Sequence, residues 1–192
     1  RIADAVYKKQ KKNDLVPYIR EDDTKLEKDE FNRYIVEIDI PEGVTSIGRI
    51  TFAGFPYLRK VTLPDSLTSI GESAFSSCKS LNTITIPRNV TSIGDGAFNN
   101  CSSLESITFS EGLVSIGENV FNGCKNLSGI VLPEGLISIG DNTFEGCKAL
   151  SKVAIPSTVS SMPARISNLL WECLCISKNN PHYYFEGESY ID

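Results

Sequence analysis

The sequence predicts a repeat solenoid with one parallel β-sheet along one side. Three observations carry that prediction. Pro41, Pro64, Pro87, Ser110, Pro133 and Pro156 are each 23 residues apart. Between these positions runs the pattern P-x-x-[VL]-x-S-I-G-x-x-x-F-x-x-C-x-x-L-x-x-[IV]-x-[IL], which five units obey closely: 41–63, 64–86, 87–109, 110–132 and 133–155. Each unit also ends in an alternating segment such as "LNTITI" before Pro87. A fixed period of this length makes each unit one coil that buries its apolar edge against its neighbours, because a single coil has too little core of its own.

The alternation of Thr and Ile in "TITI" is a strand period, and β-branched residues suit a pleated surface. Six copies, ending at Ile40, Leu63, Ile86, Phe109, Leu132 and Ile155, are expected to stack in parallel. Leu81, Ile84, Ile86 and their equivalents then point inward. Proline after the strand has no N–H to donate and stops the ladder. Gly48, Gly71, Gly94, Gly117 and Gly140 are read as positive-φ turn residues. A short helical or 3₁₀ piece, such as "DGAFNN", is expected to follow on the outer side.

Two further columns belong to the core. Phe52, Phe75, Phe98, Phe121 and Phe144 form one; Cys78, Cys101, Cys124 and Cys147 form the other, with Phe55 in the cysteine place of the first unit. Six cysteines are an even number, which in isolation suggests disulfides. The period argues for a reduced packing ladder instead. Coils lie ~4.8 Å apart, the strand spacing, and equivalent side chains aim alongside one another rather than together. Ser46, Ser69, Ser92, Ser115 and Ser138 make a column expected to bond to itself or to backbone at the coil edge.

The net charge is -5, and the first 34 residues hold nine basic and eight acidic side chains, so the repeats carry the acidic excess. That balance argues against phosphate-backbone binding. The basic run "KKQKK" at Lys8 to Lys12 is read as a solvated helix face. No apolar run reaches the roughly 18 residues of a membrane-spanning helix. Because the chain begins at Arg1, it is expected to be a processed or trimmed piece, with any signal peptide already removed.

The ends depart from the pattern. Residues 1–34 are read as an N-terminal cap, helical or partly disordered, with Ile2, Ala5 and Val6 inward in a first helix and a Thr24/Glu27 capping box opening a second, "KLEKDEFNRY". The solenoid occupies 35–160, and 156–192 is a degenerate repeat and C-terminal cap. That end holds Trp171, Cys173, Cys175, His182, Tyr183, Tyr184, Phe185 and Tyr190. They are read as packing over the last coil, with an aromatic ligand patch as the alternative. A C-x-C pair alone is weak evidence for metal.

The residues do not assemble a catalytic site. His182 is the one histidine, which removes most acid–base schemes. Glu72, Asp95, Glu118 and Asp141 form an acidic column, broken by Arg49 in the first unit, and are read as solvated rather than as a Ca²⁺ site. The sequons at Asn89, Asn100 and Asn126 are read as incidental. No cofactor, no metal and no enzymatic activity are expected. The outward strand positions are the candidate partner-binding face: Lys60, Thr62, Thr83, Thr85, Ser106, Thr108, Gly129, Val131, Lys152 and Ala154, with Glu37 and Asp39 at its N-terminal end. Small side chains make this face flat, which suits a broad partner better than a small molecule.

With its motif residues quoted, the clearest copy being "IPRNVTSIGDGAFNNCSSLESITF", the chain resembles the BspA-like (Treponema pallidum type) leucine-rich repeat family over residues 36–160. The tail "ISKNNPHYYFEGESYID" is similar to the family's segment leading into a further repeat. Where other leucine-rich repeats carry an asparagine ladder, this chain has Gly43, Ser66, Asn89, Gly112 and Gly135. The resemblance implies a right-handed coil, with the sheet on the concave face and short 3₁₀, helical or extended segments on the convex face. It implies a secreted or cell-surface bacterial protein with an adhesin-like role. The expected partner is a host or neighbouring-cell protein or glycan, with no nucleic acid, no membrane insertion and a monomeric chain. A structural spacer presenting another domain, or an accessory domain of a larger surface enzyme, stays open as the alternative.

Overall fold

The computed structural model describes residues 35–160 together with strand residues 25–26, 174–175 and 183–186. Numbered in chain order, the strands fall into two stacked sets and a terminal pair. One set ends each repeat: β2 (Glu37–Asp39), β4 (Lys60–Thr62), β6 (Thr83–Ile86), β8 (Ser106–Phe109), β10 (Gly129–Val131) and β12 (Lys152–Ile155). The other follows the proline corner: β1 (Lys25–Leu26), β3 (Ser46–Ile47), β5 (Ser69–Ile70), β7 (Ser92–Ile93), β9 (Ser115–Ile116) and β11 (Ser138–Ile139). The terminal pair is β13 (Leu174–Cys175) and β14 (Tyr183–Glu186). The chain is thus a parallel β-solenoid in which equivalent residues of successive coils lie in register, Ser69 beside Ser92 and Ile84 beside Ile107.

The second set corrects the expectation of one sheet. β1, β3, β5, β7, β9 and β11 form a continuous six-stranded parallel sheet. The serine column is therefore part of a ladder rather than only a coil edge. The repeat-ending strands form two pieces, β2-β4-β6-β8 and β10-β12-β14-β13. The interruption coincides with three departures from the repeat: Phe109 for an aliphatic residue, Ser110 for proline, and Gly129 within a strand. At the C-terminal side β14 runs antiparallel to β12, with Lys152 opposite Glu186 and Ala154 opposite Tyr184.

The outer segments hold no helix among the described residues; they are successive turns. The reason is where their amides go. Phe52, Phe75, Phe98 and Phe121 donate to the carbonyls of Ala74, Ala97, Val120 and Thr143 in the next coil, at 2.8–3.0 Å. A helix would use those N–H groups internally. Bonding across coils needs a left-handed residue at two points per turn. One column is Ile50, Ser73, Gly96, Asn119 and Asn142, at φ 54–62°; the other is Gly54, Ser77, Asn100, Gly123 and Gly146, at φ 58–73°. Asn and Gly enter this region at low cost, whereas β-branched Ile50 is strained there.

The glycines after Ser-Ile are corrected in role. None of Gly48, Gly71, Gly94, Gly117 and Gly140 has positive φ. Gly71, Gly94, Gly117 and Gly140 permit close approach instead. A Cβ on Gly94 would lie 2.6 Å from the Glu72 amide nitrogen, and one on Gly140 would lie 2.4 Å from the amide nitrogen of Glu118. At the N-terminal end, Lys25–Leu26 is corrected from helix to strand, pairing in parallel with Ser46–Ile47. The first expected helix, "KKQKK", and residues 161–173 and 176–182 lie outside the described residues.

The core is a set of columns running through the coils. Val44, Leu67, Val90, Leu113 and Leu136 are buried, as are Ile47, Ile70, Ile93, Ile116 and Ile139. Phe52, Phe75, Phe98, Phe121 and Phe144 stack with centroids 5.2–5.8 Å apart and planes within 18° of parallel. The coil spacing brings the rings face to face, with a spacing that fits offset stacking.

The glycines yield the first test. Gly94→Ala should destabilise the chain by about 1–3 kcal/mol, since backbone of the preceding coil must move. Gly129→Ala should be neutral or stabilising by up to about 1 kcal/mol, because its Cβ would sit 3.6 Å from the Lys152 oxygen with ordinary φ. Urea unfolding of both variants checks the pair.

Candidate partner-binding surface

The sheet face is built by strict alternation. In β6, Thr83 and Thr85 are exposed while Ile84 and Ile86 are buried. Parallel pairing places Thr83 beside Lys60 and Ser106, and Thr85 beside Thr108. Lys60, Thr62, Thr83, Thr85, Ser106, Thr108, Val131 and Lys152 are exposed, and Gly129 is half-buried. Val131 is 71% exposed, a bare isopropyl group in the row that carries the hydroxyls of Thr62, Thr85 and Thr108. Ala154 is corrected: it is 8% exposed. It lies on the strand to which β14 adds, a long-range pairing that local alternation could not reveal.

Sequence reasoning missed one column of this face. Val36, Arg59, Asn82, Glu105, Ser128 and Ser151 sit just before the strands and are all exposed. Their backbones form an unbroken chain of bonds: each amide from Arg59 onward donates to the preceding member's carbonyl, at 2.7, 3.4, 2.8, 3.4 and 3.0 Å. The column bridges β8 and β10, where the strand ladder is interrupted. It is chemically mixed, with an aliphatic group, a cation, an amide, a carboxylate and two hydroxyls. The signal was available in the sequence as the least repetitive place next to the invariant-looking Leu positions.

Beneath the face lies the cysteine column. Cys78, Cys101, Cys124 and Cys147 are buried free thiols. Each Sγ donates to a phenylalanine carbonyl 26 residues earlier: Phe52, Phe75, Phe98 and Phe121, at 3.1–3.2 Å. Cysteine is here more than a small hydrophobe. Its thiol gives a second hydrogen bond to a carbonyl that already accepts a backbone amide, as the Phe75 carbonyl does from the Cys78 amide. Burial pushes the thiols of Cys78 and Cys147 up to about 12, and those of Cys101 and Cys124 upward as well. A thiolate is the nucleophile, so these groups are held in the unreactive form. Cys173 lies outside the described residues, and Cys175 stands in β13 opposite Tyr184. Trp171, His182 and Tyr190 also lie outside them.

The acidic column stands beside the second sheet. Arg49 bonds to Glu72 at 3.0 Å, and that hydrogen bond holds the Glu72 carboxyl below its ordinary value. Asp95 Oδ1 accepts the Glu118 amide at 2.8 Å. Among the described residues no group of three or more His, Cys, Asp or Glu side chains is arranged to hold a metal ion.

The thiols set a pH response. A group with a folded pKa raised above its unfolded value near 9.0 keeps its contribution below that value. Stability then falls as pH rises from about 9 toward 12. Each buried thiol should contribute about 1.4 kcal/mol per pH unit across that interval. Cys101→Ala should cost about 1 kcal/mol, the net worth of the hydrogen bond to the Phe75 carbonyl, and Cys101→Ser, which keeps a donor, less. Equilibrium unfolding at pH 7 and pH 10 measures both effects.

Comparison with known proteins places this architecture. The family model for the BspA type leucine rich repeat region matches residues 24–149 and 92–168, in six copies. A leucine-rich repeat protein from T. pallidum is similar at 28% identity and a TM-score of 0.63, over 71% of this chain and 74% of that one. A leucine-rich cell surface protein from Faecalibacterium prausnitzii is 33% identical with a TM-score of 0.62, over 74% of this chain and 38% of the other. The pneumococcal vaccine antigen PcpA is 26% identical with a TM-score of 0.60, over 72% and 35%. The chain therefore spans three quarters of the first protein but little more than a third of the other two. No curated protein matches it.

Proposed function

This chain belongs to the BspA type leucine-rich repeat family, and on that premise we propose that it is a non-catalytic, adhesin-like interaction module of a secreted or cell-surface bacterial protein. It engages a host or neighbouring-cell protein or glycan through the sheet face. The family and its structural neighbours, one of them named as a cell surface protein, support the setting. The observation that carries the reading is the contrast between columns. Inward positions repeat the same residue types coil after coil, while Val36, Arg59, Asn82, Glu105, Ser128 and Ser151 differ along an exposed, backbone-tied row. A fold needs the first kind of uniformity. The second kind of variety has no role in packing, and exposed chemical variety on a rigid scaffold is how binding surfaces are made.

The small hydroxyls of Thr62, Thr85 and Thr108 leave the adjoining strand row flat, so a broad partner reaches the variable column unobstructed. The three adjacent threonines equally favour a second reading, a spacer whose surface is merely solvated. Binding to immobilised extracellular-matrix proteins and glycans separates the two. We expect saturable binding to at least one target, weakened about tenfold or more in a Thr85→Arg, Thr108→Arg double variant shown to be folded by circular dichroism. Two bulky cations side by side would obstruct the face and repel each other. Binding unaffected by the variant would move the site off the sheet face. Absence of binding to every target would favour the spacer.

A further inference from the structure

A different face changes character along the solenoid. On the second sheet the outward position before Ser-Ile is Thr45, Thr68 and Thr91 in the first three coils, then Val114 and Ile137 in the next two. Val114 is 41% exposed and Ile137 49% exposed. They are direct neighbours across coils, since the Ile137 amide donates to the Val114 carbonyl at 2.9 Å. The threonines show that this position does not need an apolar group. Thr68 Oγ1 bonds the Thr45 carbonyl at 2.8 Å, and Thr91 Oγ1 bonds that of Thr68 at 3.4 Å. Replacing threonine by valine and isoleucine gives up such bonds and leaves aliphatic groups in water.

Charge changes at the same boundary. In the first three coils the positions flanking this column are Glu42, Arg49, Asp65, Glu72, Arg88 and Asp95, and both arginines pair with carboxylates, Arg49 with Glu72 and Arg88 with Asp65 at 3.7 Å. In the next two coils they are Glu111, Glu118, Glu134 and Asp141, with Arg88 of the third coil lining one pocket with Glu111. Four residues after each aliphatic position the sequence carries a carboxylate, Glu118 after Val114 and Asp141 after Ile137.

We propose that this face, around Val114 and Ile137, docks an extended cationic peptide segment whose lysines or arginines alternate with aliphatic side chains. The aliphatic groups cover the Val114–Ile137 pair, and the cations meet Glu118 and Asp141. Like charge disfavours a second copy of the same acidic face or an anionic lipid surface as the occupant. The face is distinct from the one on which the proposed function rests, so the two readings fail separately.

The test uses the whole chain and three fluorescent peptides: alternating lysine and valine, lysine and serine, and glutamate and valine. The lysine–valine peptide should bind at least tenfold more tightly than either of the others, and its affinity should fall with added salt. Val114→Thr, Ile137→Thr restores the residue found in the earlier coils, so the fold is kept, and should weaken binding about tenfold. Glu118→Gln, Asp141→Asn should weaken it severalfold and flatten the salt dependence. Equal binding of all three peptides, or full affinity in a folded Val114→Thr, Ile137→Thr variant, overturns the proposal. So does loss of binding in the Thr85→Arg, Thr108→Arg variant, which would put the peptide on the other sheet. A dimer in sedimentation that disappears in Val114→Thr, Ile137→Thr would assign the face to a second copy and overturn it as well.

Discussion

Everything in this chain depends on backbone hydrogen bonds that run from each coil to the next. They occur in both strand sets, in the row from Val36 to Ser151, and again through the outer turns, where Phe75 donates to Ala97 and Ser77 to Asn99. A coil bonded at so many points cannot slip against its neighbour, so a residue at one place in the repeat always meets its equivalents. The phenylalanine stack, the buried leucines and the thiol-to-carbonyl bonds are results of that registration. They require the same chemistry at the same place because each column has one shape of slot to fill. One tight expression is the glycine after Ser-Ile, where backbone of adjacent coils comes within reach of a Cβ that is not there.

Registration also separates what is constrained from what is free. Every second strand residue points inward and is claimed by the core. Except at Ala154, where β14 adds to the sheet, the residues between them answer to solvent, or to whatever approaches from it. The fold therefore presents several long, parallel rows whose composition can drift without touching stability. Two of them do change along the molecule. The row before the first strand set is mixed throughout, and the row before the second switches from hydroxyl to aliphatic after Thr91. Because the rows lie on different faces, one solenoid can carry two chemically unrelated surfaces.

How much of this was legible in the sequence follows from the same division. The 23-residue period and the inward columns were readable because each inward residue type recurs, and burial has few acceptable answers. The second sheet was not, because its strands are two residues long and "SI" leaves no alternation to detect. Glycine was ambiguous in another way. Absence of a side chain permits both unusual φ and close approach, and only the neighbouring coil shows which is used; Gly94 serves the second and Gly96 the first. A hint existed in Asn119 and Asn142, which share a column with Gly96 and tolerate the same backbone. Of the candidate face, the alternating threonines were found, whereas the burial of Ala154 required β14, an element with no local signature near the repeat. The Val36–Ser151 row went unnoticed because it lies just outside the alternating segment.

The register between coils has a consequence for how such a molecule changes over generations. Since each unit touches only the one before and the one after, an in-frame duplication or loss of a whole unit leaves every remaining bond intact. Length is then adjustable in steps of about 4.8 Å, like links added to a chain. A unit copied from the threonine-bearing half would push the Val114–Ile137 region farther from the first coil without altering either. Recombination within the gene can thus move one surface relative to another as a rigid displacement, a kind of change that point substitution in a globular core cannot make.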